Sequence, residues 1–127
     1  MPLKYSLLRI KLRSRTYRVE YLDYNTVIRR FLGGRGLGAY LALREIPKGI
    51  DPLGPENKLY MLTGPLTGVV PIASSRMTFA AKSPLTGSYT HSKMAGNFAY
   101  WLRKSGYDGV VLEDRADEPI YISIVNG

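Results

Sequence analysis

Arg76 is the residue whose neighbours most suggest chemistry. It follows two serines, Ser74 and Ser75, and opens an apolar run from Met77 to Ala81. The phrase Pro-Leu-Thr-Gly stands on either side of it, at Pro65 to Gly68 and again at Pro84 to Gly87. In each copy Pro presets φ at the second turn position and Gly accepts positive φ near the end. Turns rich in Gly, Ser and Thr leave N–H groups and hydroxyls free to face an anion. Two such turns flanking a short buried strand are expected to place both loops at one edge of a sheet, with Arg76 supplying positive charge. A second cation, Lys93, lies in Ser92-Lys93-Met94-Ala95-Gly96-Asn97, read as a polar loop opening a helix. The first N–H groups of a helix are unpaired and suit a phosphate. The chemistry implied is therefore the holding of an anion. The same residue types also serve as plain tight connections with no ligand.

Other chemistries are excluded or unsupported. The chain has no cysteine, so it offers no disulfide, thiolate zinc site, cysteine nucleophile or cysteine-held iron–sulfur cluster. Its single histidine, His91, would have to carry any Ser-His-Asp catalysis, and nothing around it suggests an oriented nucleophile. Carboxylates are sparse, so no metal site of protein ligands alone is expected, and no catalytic residue is assigned.

The formal net charge of +8 predicts attraction to phosphates, in nucleic acid, in a phosphorylated cofactor or on an acidic protein partner. Lys4, Arg9, Lys11, Arg13, Arg15 and Arg18 supply much of it. They are read as the solvated outer face of an edge hairpin, where such charges discourage edge pairing. Nucleic acid is the sharper alternative. At 127 residues, 45% of them hydrophobic, the chain is one domain with a real core. No apolar run approaches the ~18–20 residues that span a bilayer, and the polar N-terminus does not read as a signal sequence. A cytoplasmic protein is expected. Few Asn, no Cys and many Arg and Tyr fit a hot environment.

The elements that must position these residues follow in order. Tyr5 to Leu12 and Thr16 to Leu22 read as a hairpin, with Tyr5, Leu7, Ile10 and Leu12 sharing a face. Asp23 to Thr26 start a helix through Val27, Ile28, Phe31 and Leu32. Gly33-Gly34 interrupt it, and after Arg35-Gly36 a second helical pattern runs through Leu37, Tyr40, Leu41 and Ile46 and stops at Pro47; the glycines continue from Gly33 to Gly38. That glycine run follows a helix and lacks G-x-G-x-x-G spacing, so it reads as a helix–helix joint and not a dinucleotide loop. Lys58 to Thr63 is a buried strand. The first Pro-Leu-Thr-Gly turn, a loop through Val69-Val70-Pro71, a strand Arg76 to Lys82, the second turn and a short strand Ser88 to His91 come next. A helix capped by Asn97 or Ser92 then carries Phe98, Trp101 and Leu102 inward and ends at Gly106. Tyr107 to Leu112 is a buried strand, Asp114 to Glu118 an acidic turn, and Pro119 to Val125 a last alternating strand. The sum is an α+β fold of mixed or antiparallel sheets with two to three helices.

Five phrases in order are similar to a known family: Gly33-Gly-Arg-Gly-Leu-Gly-Ala-Tyr40, Asp51-Pro-Leu-Gly-Pro-Glu-Asn-Lys58, Thr63 to Gly68, Lys82 to Gly87, and Ser105-Gly-Tyr-Asp-Gly-Val-Val111. Together they resemble the N-terminal domain of tungsten-containing aldehyde:ferredoxin oxidoreductases, over nearly the whole chain. The resemblance implies that residues 1–127 are the first part of a domain on which a tungsten or molybdenum bis-pterin cofactor sits. It implies that Arg76, after the small pair ending in Ser75, contacts the pterin. The family's asparagine and glycine in the later loop match Lys93 and Ala95, both departures from its pattern, with Gly96 next to them. A backbone carbonyl at Lys93 could still face a magnesium bridging the cofactor phosphates, and Ala95 suits the site only if positive φ is not required there. The resemblance implies oxidation of aldehydes to carboxylic acids with ferredoxin as acceptor. It also implies a chain or domains supplying the iron–sulfur cysteines and the aldehyde pocket. An apolar patch is expected where that missing part would sit, and would drive homo-oligomer formation without it. The alternative is a non-catalytic basic module binding nucleic acid or an acidic partner.

Overall fold

The computed structural model describes residues 4–69 and 73–127; the reading of Val70-Pro71 as loop lies outside them. The strands are β1 (Lys4–Lys11), β2 (Thr16–Asp23), β3 (Lys58–Thr63), β4 (Met77–Lys82), β5 (Tyr89–Met94) and β6 (Gly109–Glu113). They form one sheet in the order β2-β1-β6-β3-β4-β5. Only β1 and β6 run parallel; every other pair is antiparallel. A π-helical turn (Tyr24–Ile28) leads into α1 (Arg29–Phe31), then α2 (Gly34–Glu45); α3 (Phe98–Lys104) comes late in the chain. This mixed sheet with three helices is the expected α+β class.

Helices cover the sheet on both faces. Leu37, Leu41 and Ala42 of α2 bury against Tyr5, Leu7, Tyr60, Leu62 and Val111 on the first face. Ala99 and Leu102 of α3 bury against Leu8, Met77 and Val110 on the second. Each fully buried Leu or Val contributes about 1.5–3 kcal/mol. Because β1 is buried on both faces, its residues divide as Tyr5 and Leu7 against Leu8 and Ile10, correcting the single face read from the sequence.

Local chemistry explains the helix ends. The Asp23 carboxylate accepts from the Thr26 backbone N–H at 2.7 Å and caps the π-helical turn. Leu32 adopts φ 58, and Gly33 and Gly34 follow at φ 88 and 51, so the chain reverses between two helices as the glycine run predicted. Phe31 stacks on Tyr40 with ring centroids 4.3 Å apart and locks that corner. α3 ends in a Schellman motif, with Tyr107 N–H on the Leu102 carbonyl and Gly106 N–H on that of Arg103, both at 3.1 Å.

Gly33 is fixed by geometry. A Cβ there would lie 2.4 Å from the Thr63 carbonyl oxygen, and its φ 88, ψ −167 belongs to a region open in practice to glycine alone. Gly33→Ala is expected to cost about 2 kcal/mol or more, read as a lower urea midpoint with unchanged slope. A midpoint at the wild-type value would mean that the corner relaxes freely.

Several expectations are corrected. β5 runs on to Met94, so Ser92 and Lys93 belong to a strand and not to a loop opening a helix; pairing of Lys93 with Thr78 carries the ladder that far. Asn97 does occupy the N-cap position of α3, its carbonyl accepting from Trp101 N–H at 3.0 Å, but its side chain makes no capping bond. Phe98 and Trp101 face outward, Trp101 with 63% of its surface exposed, because Ala99 and Leu102 take the inward stripe. The last strand, Pro119 to Val125, forms no ladder. Its residues alternate, but its backbone pairs with no described strand, so the alternation alone does not make a ladder.

Arg9 is the largest correction. It does not lie on a solvated rim; its side chain is 3% exposed. It binds Glu20, Glu45 and Glu113, with Nη1 donating to Glu113 at 2.6 Å and Nη2 to Glu45 at 2.5 Å. Lys58 Nζ lies 3.3 Å from Glu45 and 3.4 Å from Glu113, and the Tyr60 hydroxyl donates to Glu45 at 3.1 Å. Glu45 ends α2, where a negative charge opposes the helix dipole, and the two cations offset it. Among the described residues no buried side-chain polar atom lacks a partner.

Candidate functional site

A cleft of about 380 Å³ opens beside the first turn of α2, at the end of the sheet where β3 finishes and β4 begins. Three cations line it: Arg35, Arg76 and Lys93. Arg76 precedes β4 and is exposed. Lys93 on β5 is the cross-strand partner of Thr78 on β4, so both side chains leave the same face and reach the cleft. Arg35 sits in the first turn of α2, whose backbone is held by the Tyr89 hydroxyl donating to the Arg35 carbonyl at 3.1 Å. None of the three forms an ion pair among the described residues, and no acidic residue lines the cleft or lies in that first helical turn.

The first Pro-Leu-Thr-Gly turn shapes the wall next to Arg76. Thr67 is buried; its hydroxyl accepts from Gly64 N–H at 3.1 Å and donates to the Arg76 carbonyl at 3.3 Å. Gly68, at φ 72, donates its N–H to the Ser74 carbonyl at 3.3 Å. The turn thus fixes the backbone from which the Arg76 side chain projects.

The second copy does something else. Its backbone is closed by Ser83, whose hydroxyl accepts from the Leu85 and Thr86 N–H groups at 3.2 and 3.3 Å. It follows Lys82, so the six-residue strand β4 separates it from the first copy. Loops before and after one strand lie at its opposite ends, and the expectation of both turns at one edge is overturned.

The remaining candidates divide. Ser75 donates its hydroxyl to the Gly96 carbonyl, which ties the stretch before β4 to the one after β5. Ser75, Ala95 and Gly96 thus adjoin the site without lining the cleft. Positive φ falls on Gly96, at 123°, and not on Ala95, so alanine is accommodated there. The helix terminus at the cleft belongs to α2 and not to the helix after Lys93. His91 lies exposed on β5, its ring 6.0 Å from that of Tyr89. Among the described residues no cluster of three His, Cys, Asp or Glu could hold a metal ion.

Arg35 and Gly34 were missed from the sequence. The available signal was an arginine between glycines at a helix start with no acid nearby. The spacing test rejected a dinucleotide loop, but it could not show that this joint packs on Thr63 and Gly64, beside Arg76. Gly34 leaves the cleft open at its back: a Cβ there would come within 3.3 Å of the Thr78 hydroxyl. Backbone N–H groups without a side chain in front, flanked by three uncompensated cations, form a donor set that suits a phosphate or diphosphate.

The hairpin cations are placed differently. Arg13 lies 3.8 Å from Asp117, Arg15 pairs with Glu118, and Arg18 lies 4.0 Å from Glu113. The acidic turn read from the sequence therefore folds onto the basic hairpin.

Comparison with known proteins identifies the family of the chain. The model of the aldehyde ferredoxin oxidoreductase N-terminal domain matches residues 7–127. The tungsten-containing aldehyde ferredoxin oxidoreductase of Pyrococcus furiosus is 41% identical over 92% of this chain, which covers 19% of that protein. That of Thermococcus kodakarensis is 40% identical over 92%, again 19% of its length. The WOR-like subunit of an aliphatic sulfonate oxidoreductase from Pyrococcus furiosus is 38% identical over 79% of this chain and 16% of its own. Among solved structures, the active-site complex BamBC of benzoyl coenzyme A reductase with 1,5-dienoyl-CoA superposes with a TM-score of 0.85. It is 26% identical and is covered over 91% of this chain and 18% of that one. The chain thus spans about a fifth of the length of these relatives, whose Pyrococcus and Thermococcus sources fit the composition of a heat-adapted protein. No described helix is long and apolar enough to cross a membrane. By sequence match and by fold, the chain belongs to the aldehyde ferredoxin oxidoreductase N-terminal domain family.

Proposed function

We propose that this chain is the cofactor-base portion of an aldehyde:ferredoxin oxidoreductase-like enzyme, the first part of its pterin-binding domain. The observation that carries the reading is the cleft at the start of α2, with Arg35, Arg76 and Lys93 around it and none of them in an ion pair among the described residues. A tungsten bis-pterin, or its molybdenum counterpart, would rest its phosphates there. Arg76 would make the principal charged contact, and Arg35 and Lys93 would add to the field. The bound metal would supply the redox chemistry that takes an aldehyde to a carboxylic acid, with ferredoxin accepting the electrons. This chain's part is to bind and orient the cofactor. Were a magnesium to accompany the cofactor, the Lys93 backbone carbonyl would be the atom offered to it, since the Lys93 side chain cannot ligate it as an ammonium. The cysteines for an iron–sulfur cluster and the substrate pocket would come from further domains or a second polypeptide.

The alternative of a basic module for nucleic acid draws no support from the hairpin, whose arginines face carboxylates. The direct test is the tungsten and molybdenum content of the protein purified gently and without oxygen from its own host. Stoichiometric metal travelling with a cysteine-bearing polypeptide is expected. A metal-free protein running alone, or with nucleic acid, would overturn the reading.

A further inference from the structure

We propose that the Thr78 hydroxyl is a ligand-contacting group that, with the first turn of α2, seats a phosphate at the back of the cleft; this rests on the cleft being the cofactor's seat. Among the described residues five Ser and Thr side chains are buried: Ser6, Thr63, Thr67, Thr78 and Ser83. Four of them have their hydroxyls engaged. Ser6 donates to the Gly106 carbonyl at 2.7 Å, Thr63 to that of Asp108 at 2.6 Å and Thr67 to that of Arg76 at 3.3 Å, while Ser83 accepts from Leu85 and Thr86. Thr78, only 6% exposed, makes no side-chain hydrogen bond among the described residues. No sealed side-chain oxygen among them lacks a partner, so the Thr78 oxygen keeps a path outward, and the cleft that Thr78 lines is that path. A buried hydroxyl without a partner costs free energy, and valine would fill the same volume and suit a strand as well. A hydroxyl in that place is explained by a group that it meets in the cleft.

The surroundings define that group. The Thr78 oxygen faces Gly34, and the absence of a side chain there leaves the space in front of it open. The hydrogen-bond ladder of α2 opens with Leu37 N–H on the Gly33 carbonyl, so the N–H groups of Gly34, Arg35 and Gly36 have no partner within the helix. Lys93 leaves the same sheet face beside Thr78, and Arg35 and Arg76 line the same cleft. A hydroxyl, backbone donors and three cations, with no carboxylate lining the cleft, suit an oxyanion with several acceptor oxygens on one centre, a phosphate. The cations supply attraction at a distance. Thr78 supplies a donor of fixed direction, because it is β-branched and stands on a strand paired on both sides, with β3 and β5.

The test compares Thr78→Val and Thr78→Ser with the wild type in three measurements. Tungsten or molybdenum retained by the assembled enzyme is expected to fall about tenfold in Thr78→Val and to stay within about twofold of wild type in Thr78→Ser. Affinity of the metal-free chain for inorganic diphosphate, by calorimetry, should fall by the same factor in Thr78→Val and recover in Thr78→Ser. The urea midpoint of Thr78→Val should equal or exceed that of the wild type, since no bond within the protein is lost. Wild-type metal content and wild-type diphosphate affinity in Thr78→Val would overturn the inference, the hydroxyl then meeting water only; loss of metal from Arg76→Ala in that case would leave the cofactor reading standing. A lowered midpoint accompanying metal loss would also overturn it, because the hydroxyl would then be holding the fold. Diphosphate binding that depends on Thr78, in a protein that carries no tungsten or molybdenum from its host, would keep the phosphate seat and overturn the cofactor reading. A wild-type protein that carries neither metal nor affinity for diphosphate would overturn both.

Discussion

Arg9→Met is expected to lower the free energy of unfolding at pH 7 by about 3–5 kcal/mol. The guanidinium is the shared partner of Glu20, Glu45 and Glu113, and it lies almost wholly out of water. Removing it leaves two largely buried carboxylates, at Glu45 and Glu113, with Lys58 as their remaining close cation besides the more distant Arg18. The cost comes mainly from those orphaned charges and not from the pair energy that is lost. A pH series separates the two. In the native protein burial opposes ionisation of Glu45 and Glu113, but the Arg9 and Lys58 contacts outweigh it and hold both below the usual carboxylate range. Their folded values thus lie under the unfolded ones. The stability they contribute is complete above about pH 4.3, the ordinary glutamate value, and is lost as pH falls through the folded values. Without Arg9 the burial effect dominates and the carboxylates titrate higher. The stability gap between wild type and Arg9→Met, from urea melts, is therefore expected to narrow from pH 7 to pH 4. A gap of constant size would mean that lost packing, and not charge, is responsible.

That cluster also shows where sequence reasoning stops. Arg9 stands in a run of alternating basic residues that reads as a wet strand face. Its partners lie 11, 36 and 104 residues away, on β2, α2 and β6, and meet only because β1 sits inside the sheet. Alternation gives a face only when one side of a strand is wet, and β1 is covered on both. The strands themselves were legible from their β-branched and aromatic runs, and the glycine joint from its chemistry. The two Pro-Leu-Thr-Gly turns were legible as turns, while their separation needed the direction of β4. Within the site, Arg76 and Lys93 could be named from the family's motif positions. Arg35 could not, because nothing local places a helix start against the end of a strand 28 residues further on.

Arg76→Ala is expected to reduce the tungsten or molybdenum retained by the assembled enzyme to below a tenth of the wild-type content. A hydrogen bond to a charged group is worth about 1.5–3 kcal/mol, so losing one or two such contacts to a phosphate weakens retention ~10-fold to 100-fold or more. The substitution is unusually clean. Arg76 is exposed and pairs with no carboxylate among the described residues, so its removal strands no partner. The Thr67 bond goes to its backbone carbonyl and survives in alanine. Stability is therefore expected to change by less than about 0.5 kcal/mol, and metal loss cannot be ascribed to unfolding. Arg76→Lys keeps the charge but not the planar fork, and should retain an intermediate amount. Lys93→Ala and Arg35→Ala should each lose less than Arg76→Ala, since Arg76, the principal charged contact in this reading, would remain. Wild-type metal content in the Arg76→Ala enzyme would remove the cleft from consideration as the cofactor's seat. Equal losses from all three substitutions would instead mean that the cofactor responds to the summed field of the cleft and that Arg76 makes no privileged contact.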